Sequence, residues 1–158
     1  MGLFGFGKKP IPNPSTKEDI QRNNDSSLIL DAEGDIKRVK LLIKSGANVN
    51  SKNQFGRTPV QAAAARGNSE VLKFLINSGG KVDVRDDLGT VPLYEAIIGN
   101  RLSLAGIGTP GPRLKNIQVL INAGSDVNAV CHDETLLEFA IRLGNKKVIK
   151  MLKDAGAK

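Results

Sequence analysis

With 158 residues the chain is sized for one domain, and its formal charge of +7 raises the question of where the surplus cations lie. One cysteine, Cys131, excludes an internal disulfide framework and suits a reducing compartment, so a cytoplasmic protein is expected. No apolar run approaches the roughly 20 residues of a membrane span, and with 4% aromatic residues and no tryptophan the core must be built from Ala, Leu, Ile and Val in thin layers.

Residues 1–26 open with Leu3-Phe4-Gly5-Phe6, and Lys8 and Lys9 follow the apolar part, the reverse of a secretory signal. Prolines at 10, 12 and 14 forbid a regular helix and a polar run follows, so a mostly disordered arm is expected. A first helix pair is expected over 27–46, with Gly34 at its turn and Asp35 capping its second helix.

The second pair, 58–79, is the clearest. Thr58 is a good N-cap and Pro59 suits the first helical position. The alanines at 62–65 make a thin helix that a neighbour can approach closely, Gly67 ends it, and Asn68 begins the next. Apolar residues at 71, 72, 74, 75 and 76 mark one buried face at helical spacing. A third pair spans 91–124 with an insertion at 101–112, and a fourth spans 135–156.

The phrase Gly46-Ala47-Asn48-Val49-Asn50 returns as Gly79-Gly80-Lys81-Val82-Asp83 and again as Gly124-Ser125-Asp126-Val127-Asn128. Asn50 to Asp83 and Pro59 to Pro92 are both steps of 33 residues; Asp83 to Asn128 is 45, one period plus the 12 inserted. A 33-residue period with a T-P-L-H-x-A-like helix start is the ankyrin signature. From about Ser27 to Lys158 the chain resembles the ankyrin-repeat family. Gln61 stands where that family usually has histidine, Val91 replaces the capping threonine, Leu136 replaces proline, and the turn glycine seen as Gly56 and Gly89 is missing before Thr135.

The resemblance implies an all-α solenoid over 27–158, about four stacked helix-turn-helix pairs with short β-hairpin-like fingers. In that family the fingers and the shorter inner helices line a concave face. By alignment Gln54, Phe55 and Arg57 lie at the first finger tip, Arg85, Asp87, Leu88 and Thr90 at the second, and His132, Asp133 and Glu134 at the third. Ala65, Arg66 and Arg142 take groove-facing positions on inner helices. The resemblance further implies a non-enzymatic module that binds a protein partner. Lys52, Arg57, Arg66, Arg85 and Arg142 near the groove point to an acidic patch on that partner, with Phe55 and Leu88 as apolar anchors. A monomer without cofactor or metal is expected.

Other chemistry is weaker. Gly106-Ile107-Gly108-Thr109-Pro110-Gly111 matches a dinucleotide fingerprint but lacks a strand before it, and Pro110 and Pro112 remove N–H groups a phosphate would want. Cys131 and His132 are neighbours on an extended segment and point to opposite sides, so they make no nucleophile pair. The alternative function is binding of nucleic acid or an anionic surface through the basic groove and Lys146, Lys147, Lys150, Lys153 and Lys158. Asp86, Asp87, Asp133 and Glu134 interrupt that positive field, and stacking aromatics are missing from it.

Overall fold

A computed structural model describes residues 17–66, 68–99 and 113–158. Gly67, the glycine pattern at 106–111 and most of the arm therefore lie outside the described residues. The helices run α1 (Lys17–Asp31), α2 (Ile36–Lys44), α3 (Pro59–Arg66), α4 (Ser69–Asn77), α5 (Pro92–Ile98), α6 (Leu114–Asn122), α7 (Leu136–Arg142) and α8 (Lys146–Asp154). Between α6 and α7 lies a small antiparallel hairpin, β1 (Val130–Cys131) with β2 (Glu134–Thr135).

The start signals act as their chemistry requires. Asp35 accepts from the Lys37 and Arg38 N–H groups, Asn68 from Val71 and Asn145 from Val148. Thr58 and Gln61 exchange bonds, as do Thr135 and Glu138, so α3 and α7 both open with a reciprocal cap. Val91 makes no side-chain cap, and α5 starts on the fixed φ of Pro92 instead. Each outer helix is followed, two residues past its end, by a glycine with φ between 85° and 94°: Gly46, Gly79, Gly124 and Gly156.

Helices α1, α3, α5 and α7 form an inner layer and α2, α4, α6 and α8 an outer one. α3 packs on α1 and α5, and α6 on α4 and α8. The Tyr94 and Phe139 rings, stacked 4.7 Å apart, join α5 to α7. One apolar layer runs through all pairs: Val39, Leu75, Leu120 and Leu152 are fully buried at successive outer helices. No pair could hide such a face alone. On α8, Lys153 takes the place that Ile76 holds on α4, and it is exposed at the end of the stack. Among the described residues no helix is long and apolar enough to cross a membrane.

One expectation needs correction. Within the arm expected over residues 1–26, residues 17–26 are helical, because α1 begins at Lys17. That stretch is polar, and polar bonds hold it: Gln21 Nε2 donates to Asp25 and to the Gly46 carbonyl, while Asp25 Oδ1 accepts from the Asn48 N–H at 2.7 Å. Apolar periodicity is blind to such anchoring. The missing glycine before Thr135 is also explained. The third finger turns on His132 (φ 53°) and Asp133 (φ 64°), a two-residue hairpin that needs positive φ at both positions.

Candidate functional site

The fingers are built on side chains that mimic backbone. Asn53 Oδ1 accepts from the Phe55 and Arg57 N–H groups, both at 3.0 Å, and closes the first tip. One repeat later Asp86 Oδ1 does the same for Leu88 and Thr90, at 3.1 and 2.9 Å. These tight turns leave no room to fold the tip residue inward. Phe55 is 62% exposed, Leu88 57% and Val130 49%.

Adjacent fingers are tied together. The Asp87 N–H donates to the Phe55 carbonyl at 3.1 Å, and Lys52 Nζ donates to the Arg85 carbonyl at 3.1 Å. Arg85 Nη1 reaches the Gly89 carbonyl at 2.6 Å and the Val130 carbonyl at 2.8 Å. Two hollows lie along this edge. A groove of about 820 Å³ separates α1 from the first finger and is lined by Ile29, Leu30, Lys52 and Phe55 among others. A cleft of about 530 Å³ lies between the first two fingers, lined by Asn53, Phe55, Arg57, Asp86, Asp87, Leu88 and Glu95. Leu30, Phe55, Leu88 and Val130 thus follow one another along the stack.

Leu30 and Val130 are absent from the sequence-derived site, yet both leave a signal. Leu28, Ile29 and Leu30 are consecutive on a helix, where a step of about 100° cannot turn all three inward; Leu30, at 71%, is the one left out. Val130 sits between buried Ala129 and Cys131, so strand alternation turns it outward.

The expected cations are in place but mostly engaged. Arg57 Nη2 lies 3.6 Å from Glu95 Oε2, Arg66 pairs with Glu33, and Arg142 grips Glu134 through both Nε and Nη2. Lys52 and Arg85 hold backbone carbonyls. Gln54 and Asp87 are exposed, and His132 meets the Tyr94 ring edge-on at 5.4 Å. Thr90, expected on the contact surface, is fully buried: its hydroxyl lies 2.8 Å from Asp86 Oδ2 and 3.2 Å from Glu95 Oε1, bracing the finger from inside. Ala65 is buried too, its carbonyl accepting from Arg113 Nε. The Arg142 guanidinium bonded to Glu134 holds that carboxyl below the usual carboxylate range and is itself raised. The Thr135 backbone N–H, then its hydroxyl, lower Glu138.

Residues 28–106 match the family model for ankyrin repeats, in three copies. No curated protein matches the chain. The last pair, α7 and α8, lies beyond the matched span and repeats the same construction. The family's repeats are in general protein–protein interaction modules. A braced stack of helix pairs, built on a 33-residue period and matched over half its length, identifies the chain as a member of the ankyrin-repeat family.

Proposed function

We propose that this chain is a non-enzymatic cytoplasmic module that binds a protein partner, as a monomer, through its finger tips and inner-helix surface. The observation that carries the reading is the row of Leu30, Phe55, Leu88 and Val130. Single exposed apolar side chains are ordinary, whereas a row bordering two hollows on a braced surface is a patch of the kind partners cover. The scaffold is ordered before binding, so association loses little freedom. The contact set is Lys52, Gln54, Phe55, Arg57, Arg66, Arg85, Asp87, Leu88, His132, Glu134 and Arg142, with Leu30 and Val130 added and Thr90 serving from beneath.

An acidic patch on the partner is met chiefly by Lys52 and Arg85. Arg57, Arg66 and Arg142 face carboxylates of this chain, whereas Lys52 and Arg85 donate to carbonyls and form no ion pair among the described residues. The nucleic-acid alternative draws less support for the same reason, since three of its five groove cations are locally neutralised.

Affinity capture from a nuclease-treated lysate tests the reading, with wild type beside the double variant Phe55→Ser, Leu88→Ser. A protein retained by wild type and lost by the variant is the expected result. Equal retention would refute the proposed surface. Binding of random DNA that falls steeply with log salt would favour the alternative.

A further inference from the structure

The cleft between the first two fingers has a charge opposite to that of the chain as a whole. The protein carries +7, yet among the described residues three carboxylates (Asp86, Asp87 and Glu95) line the cleft against one guanidinium, Arg57. Glu95 is only 2% exposed, and it receives the Thr90 hydroxyl on one oxygen while facing Arg57 with the other. Asp86 spends its carboxylate on the turn. Asp87 does not: it holds the first finger through its backbone N–H, and its carboxylate makes no hydrogen bond or ion pair among the described residues. An exposed aromatic, Phe55, lines the same cleft together with exposed Leu88.

Each of these features favours the same guest. An aromatic face attracts a cation by its quadrupole, and carboxylates beyond it supply charge and hydrogen-bond acceptors. The apolar rim covers the stem of a long side chain while its head stays near the acids. We propose that the Phe55–Leu88 cleft receives an arginine or lysine side chain carried by an apolar segment of the protein partner. The inference rests on the docking reading above and gives it polarity: Lys52 and Arg85 meet acidic groups, and the cleft takes a basic one.

A phage-displayed library of random dodecapeptides selected on the full chain tests this directly. Enriched peptides are then synthesised with a fluorescein label and titrated by polarisation against wild type, Asp87→Lys and Phe55→Ser/Leu88→Ser. The expected peptides carry Arg or Lys beside apolar residues, bind at least about tenfold more weakly to Asp87→Lys, and weaken with added salt. Asp87→Lys keeps the backbone bond between the fingers, and an unchanged urea midpoint separates lost recognition from lost structure. Peptides that depend on Phe55 and Leu88 but lack basic residues and ignore Asp87→Lys would overturn the inference and leave the docking reading standing. Peptides indifferent to Phe55→Ser/Leu88→Ser would overturn both, as would a selection that enriches nothing.

Discussion

Gln61 and Thr90 are 29 residues apart, yet Gln61 Nε2 donates to the Thr90 carbonyl at 2.9 Å, and both residues are fully buried. The oxygen of the same amide, Oε1, accepts from the Thr58 N–H at 3.0 Å, so one side chain caps its own helix and binds the next repeat. Gln61→Ala leaves the Thr90 carbonyl buried without that donor. A loss of about 1–3 kcal/mol is expected, read as a lower urea midpoint. An unchanged midpoint would mean the amide contributes nothing across the junction.

The apolar layer gives a second test. Leu75 is fully buried on α4, the outer helix between α2 and α6. Leu75→Ala should lower stability by about 2–5 kcal/mol in chemical denaturation. A change below about 0.5 kcal/mol would contradict its central position.

Gly56 joins the tip chemistry to backbone geometry. Its φ is 69°, and a Cβ there would come within 2.3 Å of Asp87 Oδ1 and 2.9 Å of the Asp87 backbone nitrogen. The carboxylate can swing aside, but the nitrogen belongs to the bond that joins the two fingers. Gly56→Ala should therefore cost at least about 1–2 kcal/mol from the left-handed backbone alone. Hydrogen exchange at the Asp87 amide should also become faster, and an equally protected amide would show that the fingers move together without strain.

Acid should loosen the third finger and the start of α7. Glu134 and Glu138 both have folded-state pKa values below their unfolded ones, so their contribution is complete above the unfolded value of about 4.3 and is lost as pH falls through the lowered folded value. Glu138 is exposed and Glu134 half-buried but open to solvent, so salt should mute the effect. NMR titration of the Glu134 and Glu138 side-chain carboxyl carbons should give midpoints below that of an unstructured glutamate. Ordinary midpoints, or no effect of Arg142→Gln on Glu134, would remove the ion pair from the account.

Much of this protein is written in short-range chemistry. Caps at Asp35, Asn68 and Asn145, prolines at 59 and 92, and a 33-residue recurrence each act within a turn or two, and so declare the helix pairs and the family without coordinates. Phe55 and Leu88 were legible for the same reason, being apolar residues in turns that belong to no buried face. What tertiary structure alone decided is pairing at a distance. Arg57 finds Glu95, Arg66 finds Glu33, and residues 17–26 become helix because Gln21 and Asp25 reach the backbone at Gly46 and Asn48. A charge count cannot foresee which cations will be neutralised, because that depends on which side chains the stack brings within reach of one another. Hence a basic chain presents an acid-lined cleft, and its sign was set by the packing of the fingers.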